Sequence, residues 1–222
     1  MELLEAMRRR HSVRSYTDEP LSHREKAELN EIISRCNRQG RLHIQLITED
    51  TKAFSGMMAK FMRFSGASNY IALIGPDKAD LEEKCGYYGE KIVLRAQQIG
   101  LNTCWVALTY TKNRELMEIG PGERLCLVIA VGHGANEGTP HKSRPREEVM
   151  RTRGEVPEWF IRGVDAALMA PTAVNQQKFL LSLEGDNVVA IEPGRGSWTK
   201  VDMGIVRYHF ELGAGVRNFT WK

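Results

Sequence analysis

The chain has 222 residues, of which 42% are apolar and 27% are charged, and its net charge at pH 7 is +3. This length can bury a substantial core as one large domain or two small ones, and the composition is that of an ordinary globular protein. The basic residues form no long run, so the charge does not indicate a nucleic-acid partner.

The cysteines and the N-terminus exclude further classes of protein. Cys36, Cys85, Cys104 and Cys126 are scattered without a Cys-x-x-Cys pair, which fits neither a zinc site nor a disulfide framework. We therefore expect reduced, mostly buried thiols and no metal. The acidic, amphipathic start is not typical of a signal peptide, and no apolar run approaches the roughly 20 residues of a membrane span. These features predict a cytoplasmic protein.

The first two-thirds of the chain alternate helical and strand-like patterns. Ser22 and Glu25 form a capping-box signature, so a helix is predicted from there through Ile33. Met57, Met58, Phe61 and Met62 suggest a short helix beside something apolar. The other predicted elements are a short first helix that includes Leu3 and ends near residues 8–10, strands over 42–46, 70–75 and 124–132, and a long helix over 80–99 that stops at Gly100.

A basic, proline-flanked connector over residues 140–145 separates two halves, which we place at residues 1–146 and 147–222. Pro157 suits the first position of a helix. A Glu-Gly-Asp-Asn turn joins two strand patterns, so a hairpin is predicted. The predicted elements of the second half are a helix over 159–169, strands over 179–183 and 188–191, and a last helix over 201–213.

The two halves echo each other. Residues 25–47 and 158–183 each read as helix, loop and strand, and residues 86–96 resemble residues 202–212. Glycine inside a helix costs roughly 1 kcal/mol relative to alanine, so the early glycines of these two helices indicate close helix packing. The echo suggests an internal duplication. Independent helices of similar periodicity are the alternative.

Two basic clusters suit an anion. In an extended segment Arg10, Ser12 and Arg14 point to one side, and guanidinium groups bind phosphate oxygens bidentately. Residues 10–16 are called the basic arm below. Lys142 and Arg144 repeat the pattern around a serine. Taken alone, each cluster is more typical of a solvated surface.

Three motifs together resemble the FMN-dependent nitroreductase family. The arm, Arg-His-Ser-Val-Arg-Ser-Tyr, is similar to the family's Arg-Arg-Ser-hydrophobic-Arg-x-aromatic motif, with His11 in place of an arginine. Gly-Leu-Asn-Thr-Cys-Trp at residues 100–105 is similar to its Gly-Leu-Gly-Ser-Cys-Trp region. Ala-Pro-Thr-Ala-Val-Asn-Gln-Gln at residues 170–177 resembles its Ala-Pro-Ser-x-x-Asn-x-Gln-Pro loop, with Lys178 replacing the proline. A helix-stop loop is the alternative for this last segment.

The resemblance implies an α+β fold with a central, mostly antiparallel or mixed sheet flanked by helices, and it implies bound FMN. Backbone after the Cys-Trp motif would lie against the flavin, and the second basic cluster would reach its phosphate. The amide side chains of Asn175 and Gln177 suit the pyrimidine edge. The implied FMN-binding residues are Arg10, His11, Ser12, Arg14, Trp105, Val106, Ala107, Leu108, Lys142, Arg144, Pro171, Thr172, Ala173, Asn175 and Gln177.

In common family members the arm and the loop lie near the N-terminus, and a homodimer completes the site. Here they stand in different halves. Arginines occupy residues 35–41, where the first half would carry the loop, and residues 150–154 are at best a remnant of the arm. Each half keeps what the other lost, so the sequence predicts an intramolecular pseudo-dimer with one site per chain, and a monomer.

The resemblance implies a two-electron oxidoreductase. NADH or NADPH would reduce FMN, and an electron-poor small molecule such as a nitroaromatic or a quinone would accept hydride from N5, with no protein acid or base required. A non-catalytic flavin store or sensor is the alternative, in which Phe64 and the nearby Met57, Met58 and Phe61 cover the ring. A specialised flavin chemistry and a scaffold without flavin complete the alternatives.

Overall fold

The computed structural model describes residues 1–222 apart from residues 58, 60, 61, 114 and 186. The chain divides into two units. The first contains Met1–Leu81 and Lys91–Pro140, and the second contains Glu82–Glu90 and His141–Lys222. The second unit therefore begins before the predicted division at residue 147, and it includes part of a helix that the sequence assigned to the first half.

The first unit is built from two N-terminal helices and four strands. Its elements in chain order are α1 (Leu3–Arg9), α2 (His23–Gly40), β1 (Gln45–Ile47), β2 (Tyr70–Pro76), α3 (Leu81–Gln98), β3 (Asn102–Val106) and β4 (Glu123–Gly132), with α3 shared between the units. The predicted helices at the start of the chain, after Ser22 and over 80–99 are confirmed, as are the strands over 70–75 and 124–132, apart from their exact ends, whereas the strand predicted over 42–46 forms only at Gln45–Ile47. A short helix was also predicted from Met57, Met58, Phe61 and Met62. Of these four residues, Met58 and Phe61 lie outside the described residues.

The start of α2 was predicted correctly from a local sequence signal. Its capping box is confirmed, because the Ser22 N–H donates to Glu25 Oε2 at 2.7 Å and the Glu25 N–H donates to Ser22 Oγ at 3.2 Å. It continues past Ile33 to Gly40. The buried face continues at helical spacing through Cys36 and Gly40, and the Asn37 side chain fixes the following turn through both backbone groups of Ile44.

The first sheet is antiparallel with strand order β1-β2-β4-β3. The strand β2 is buried along almost its whole length, which explains its continuous apolar sequence. The hydrophobic core beside it includes Tyr70 and the stacked pair Phe54 and Phe64, whose ring centroids are 5.2 Å apart. Because Phe64 is buried in this stack, it is a core residue of the first unit rather than a free cover for a ligand.

The second unit carries a mixed sheet. Its further elements are α4 (Arg146–Val149), β5 (Met150–Arg151), α5 (Glu158–Ala167), a 3-10 turn (Ala173–Asn175), β6 (Phe179–Glu184), β7 (Val188–Pro193), α6 (Thr199–Ala214) and β8 (Thr220–Trp221). The strand order is β5-β6-β7-β8. The predicted hairpin is confirmed as the antiparallel pair β6 and β7, and the two outer pairs are parallel. The fold class is α+β, with strands divided between two sheets.

Aromatic side chains form the core of the second unit. Phe210 of α6 contacts the rings of Phe160, Phe219 and Trp221, with ring centroids 5.1 to 5.6 Å apart. The first two of these pairs are edge-to-face, an arrangement that stabilises a core beyond the area that it buries. Among the described residues, no helix combines the length and apolar character needed to cross a membrane.

The part of α3 that belongs to the second unit packs against α6 at two glycines. A Cβ added to Gly204 would lie 2.0 Å from the Glu83 carbonyl oxygen, and one added to Gly86 would lie 2.0 Å from that of Val201. The close helix packing predicted from these glycines is confirmed. Nearby, the buried His209 ring contacts Glu90 at 2.9 Å and the Ala166 carbonyl oxygen at 3.1 Å.

Replacing Gly204 with alanine tests this packing. The Gly204→Ala variant should lose about 3 kcal/mol of unfolding free energy, because its Cβ meets main-chain atoms that cannot move aside easily. Denaturant unfolding of the purified variant measures the loss. Gly185→Ala is the matched control, since beyond its chain neighbours no atom of the described residues lies within 4 Å of the added Cβ, and equal stability of the two variants would contradict the close approach.

Candidate functional site

The basic arm is held in an extended conformation within the first unit. The Val13 N–H donates to the Thr103 carbonyl at 3.0 Å, and the Tyr16 N–H donates to that of Ser65 at 2.9 Å. Val13 and Tyr16 are buried in the core. The arm therefore runs beside the start of β3, with its apolar side chains inside.

The polar residues of the arm converge on one buried thiol, that of Cys104, which is 3% exposed. Burial raises the pKa of the Cys104 thiol, while the charges of Arg14 and Arg10 and a hydrogen bond with Ser12 lower it. Arg10, Ser12 and Arg14 thus all influence one thiol, and their binding of a common anion stays a prediction. Arg10 is only 4% exposed at the end of α1, whereas Arg14 is exposed.

A cavity of about 520 Å³ opens beside the arm in the first unit. Within the part of the chain that the structure describes, neither Arg14 nor Arg63 forms an ion pair with a carboxylate, and no acidic side chain lines the cavity. Uncompensated guanidinium groups beside hydroxyl donors favour an anion. The residues that line it are Ser12, Arg14, Ser15, Met62, Arg63, Asn136, Gly138 and Thr139.

Two residues beside the arm were missed by sequence reasoning. Arg63 adopts a φ of 61° in a loop, and nothing in its sequence neighbourhood marks it as part of a site. Gly138 has a φ of +71°, and a Cβ there would lie 2.8 Å from the His11 Cβ. A side chain at this position would be strained and would press on the arm, so the glycine permits the close packing.

The end of β3 belongs to the same unit as the arm. Trp105 and Val106 are its last residues, and Val106 is buried. Ala107 is half-buried and Leu108 is exposed immediately after the strand. All four residues follow Thr103, which pairs with Ser12 of the arm, so the structure brings the first two sequence motifs together.

In the second unit the structure brings the 170–177 loop together with the second basic cluster. The Lys142 carbonyl accepts hydrogen bonds from Asn175 Nδ2 at 3.0 Å and from Gln177 Nε2 at 2.8 Å. The Arg144 N–H donates to Gln177 Oε1 at 2.9 Å. Two segments that are well separated in sequence thus form one polar cluster.

The buried side chain of Gln177 connects the members of this cluster through hydrogen bonds. Its side chain is 3% exposed, and Nε2 also donates to Asn175 Oδ1 at 2.8 Å. Both amide hydrogens and the amide oxygen therefore have partners within the protein. A direct contact between Gln177 and a cofactor remains a prediction, while Asn175 is exposed and keeps one amide hydrogen for a ligand.

The loop carries backbone strain. Val174, Asn175 and Gln177 have φ values of 47°, 55° and 44°. The left-handed region costs a non-glycine residue roughly 1–2 kcal/mol, and for a β-branched residue such as valine it is an outlier. Strain of this kind persists only where surrounding contacts enforce it, and it concentrates at functional sites.

A buried carboxylate also holds the conformation of the 170–177 loop. Asp202, in the first turn of α6, accepts a hydrogen bond from the Ala173 N–H at 2.9 Å and another from Gln176 Nε2 at 2.7 Å. It is 3% exposed. Burial raises the pKa of Asp202 to about 6, and the two hydrogen bonds lower it. Sequence reasoning missed this residue, because an acid in a first helical turn has an ordinary explanation in the helix dipole.

The remaining predicted residues of the second unit differ in how their charges are compensated. The Arg144 guanidinium contacts Glu148 at 3.3 Å, whereas Lys142 is exposed, with no carboxylate partner in the described ranges. Thr172 Oγ1 accepts from the Gln177 N–H at 3.0 Å, and Pro171 and Ala173 are half-buried. The described residues contain no group of three His, Cys, Asp or Glu side chains that could hold a metal ion.

Comparison with known proteins gives one family. The family model described as "Putative TM nitroreductase" matches residues 2–214. No curated protein sequence matches the chain. Since the family match spans nearly the whole sequence, it includes both units.

Several solved structures share the fold. A "putative nitroreductase" from Thermotoga maritima has a TM-score of 0.64 at 23% identity, over 96% of this chain and 83% of its own. An FMN- and NADPH-dependent nitroreductase from Sphigopyxis sp. strain HMH has a TM-score of 0.54 at 16% identity, over 70% of this chain and 100% of its own. A protein from Desulfovibrio desulfuricans in complex with FMN has a TM-score of 0.50 at 20% identity, over 67% and 94%.

Relief of the loop strain can be measured. The Val174→Gly variant should gain about 0.5–1 kcal/mol of unfolding free energy, because glycine adopts the left-handed backbone freely and the side chain it removes is 93% exposed. Denaturant unfolding measures the change.

Val216→Gly is the control, because this valine is also exposed but has no positive φ. It should lose about 0.5–1 kcal/mol, the usual effect of glycine on the unfolded chain. A loss of stability at both positions would argue against strain at Val174.

Proposed function

The chain belongs to the nitroreductase family, and on that premise we propose that it is an FMN-dependent oxidoreductase that takes two electrons from NADH or NADPH. The electron acceptor is an electron-poor small molecule such as a nitroaromatic or a quinone. FMN supplies the hydride chemistry when it is bound. The part of this chain is to bind and orient the flavin and to leave room for donor and acceptor.

The observation that carries the proposal is the carboxylate-free cavity beside the arm. The FMN phosphate is an anion of about −1.5 to −2 charge at neutral pH. The cavity offers the guanidinium groups of Arg14 and Arg63 with the hydroxyls of Ser12, Ser15 and Thr139, which is a donor set that fits phosphate. Two solved relatives support the choice of cofactor, since one contains FMN and the other is FMN- and NADPH-dependent.

We assign the residues of the chain the following roles. Ser12 and Arg14 bind the phosphate, and the buried Arg10 adds positive charge behind them. Asn175 meets a polar edge of the flavin ring. Lys142 and Arg144 contribute further positive charge, and the backbone of residues 105–108 lies against the ring, as the family resemblance implies.

Three predictions from the sequence accompany this proposal. One FMN binds per chain, the protein is a monomer, and it works in the cytoplasm. Each unit contains an arm or short strand, then a helix, an antiparallel strand pair, a helix and a strand, an order that supports the hypothesis of internal duplication.

Turnover distinguishes the oxidoreductase from a flavin store or sensor. We expect the FMN-loaded protein to oxidise NADH or NADPH faster when a quinone is supplied, with absorbance of the reduced nucleotide at 340 nm as the readout. Free FMN at the same concentration is the control. A protein that binds FMN but gives only the rate of free FMN would contradict the enzymatic role and favour the store or sensor.

Removing one cation tests the phosphate site. Arg14→Ala should weaken FMN binding by about 10- to 100-fold, the effect of losing hydrogen bonds to a charged group, measured by fluorescence titration. Riboflavin, which has no phosphate, should bind the variant and the wild type alike. Arg9→Ala is the control, because Arg9 is exposed and pairs with Glu5 outside the cavity. An equal effect of Arg14→Ala on FMN and riboflavin would contradict a phosphate contact.

A further inference from the structure

We propose that Asp202 is the positioning residue of the 170–177 loop, whose carboxylate holds Asn175 where it meets the flavin. This inference rests on the proposed FMN-binding function. Asp202 does not touch the cofactor in this assignment. It acts through the backbone of Ala173 and the side chain of Gln176.

The loop is fixed from two sides. On one side Asp202 accepts from the Ala173 N–H and from Gln176 Nε2. On the other side the buried Gln177 amide joins the loop to the backbone of Lys142 and Arg144. The left-handed residues 174 and 175 lie between these two attachments, so the loss of either side frees strained backbone to relax.

Asp202 is itself held firmly. It precedes Gly204 by two residues on α6, and at Gly204 the helix backbone approaches that of α3 too closely for a Cβ. The carboxylate therefore cannot shift far to follow a moving loop. A rigid element that carries a buried acceptor is a suitable support for a binding residue.

The contact requires a carboxylate with both oxygens free to accept. An asparagine offers one acceptor oxygen and would place an NH₂ group against Gln176 Nε2. Rotation of the Gln176 amide cannot repair this contact, because Nε2 also donates to the Ser197 carbonyl at 2.9 Å. Asp202→Asn thus imitates the protonated acid while it conserves size.

Most ionisable groups on the surrounding elements have partners of their own. Lys200, next along α6, is exposed. The loop itself has no ionisable side chain over residues 170–177. The other neighbouring groups and their partners are Lys178 with the Arg195 carbonyl, Arg144 with Glu148, Glu83 with Arg207, Tyr87 with Glu211 and Glu90 with His209; Lys142 is exposed on the far side of the loop.

Protonation of Asp202 should change stability and binding in opposite directions. Burial raises the pKa of the folded-state carboxyl to about 6, above its ordinary value of about 4. The folded protein therefore binds more protons than the unfolded chain between about pH 4 and 6, so this group's contribution to stability falls as the pH rises through that window. The ionised carboxylate forms both hydrogen bonds to the loop, so flavin affinity should rise over the same range.

The test compares FMN and riboflavin dissociation constants for the wild type and Asp202→Asn between about pH 5 and pH 8. The ratio of the two proteins cancels the titration of the FMN phosphate, and riboflavin removes that titration altogether. We expect Asp202→Asn to bind both flavins about 10-fold more weakly at pH 8, with the difference nearly gone at pH 5. Thermal unfolding should show Asp202→Asn as stable as the wild type or more stable at pH 8.

Glu211→Gln is the control, since Glu211 lies on the same helix and contacts Tyr87 and Trp221 instead of the loop. Its affinity ratio to the wild type should not vary with pH. An Asp202→Asn defect that is constant across the pH range, or no defect at all, would overturn the positioning role. A wild type that binds no flavin at any pH would instead overturn the proposed function.

Discussion

The left-handed backbone of Val174, Asn175 and Gln177 depends on two buried polar side chains, the carboxylate of Asp202 and the amide of Gln177. Both oxygens of Asp202 accept hydrogen bonds, and the oxygen and both amide hydrogens of Gln177 have partners, so the loss of either side chain leaves strained backbone unsupported. Regular elements position these two groups. Asp202 lies in the first turn of α6, and Gln177 lies two positions before the start of β6. The energetic consequence is a local cost in stability, which is offset by the packed aromatic core of the second unit and by the glycine crossing of α3 and α6.

The first unit brings several positively charged side chains close together. An extended arm hydrogen-bonded beside β3 places Arg10, Ser12 and Arg14 around one buried thiol, and Arg63 joins them from another loop. Repulsion between such groups disfavours their assembly without an anion. The buried Val13 and Tyr16 hold the arm in place against that repulsion. The first unit supplies a cluster of positive charge, and the second unit supplies a polar loop held by buried side chains.

Local signals in the sequence predicted much of this structure. The capping box at Ser22, the hairpin after Phe179 and the glycines that mark the helix crossing each depend on chemistry within a few residues, and each is confirmed. The pairing of distant groups was not predictable. Asp202 looks like an ordinary first-turn acid, and Arg63 looks like a lone surface arginine, because nothing local states what they face. The two-residue strands β5 and β8 are too short for any periodic pattern. The Lys142–Arg144 backbone belongs to the second unit, where it contacts the side chain of Gln177, a residue distant in sequence.

The most direct test of this account is a titration of the purified protein with FMN, followed by the change in the flavin absorption band and in flavin fluorescence. The account predicts saturable binding at one FMN per chain, with a fluorescence change that marks transfer of the ring from water into the protein. No binding, or binding that does not saturate, would mean that the family fold persists here without its cofactor, and it would contradict the central claim that the arm and the loop of this chain serve a flavin.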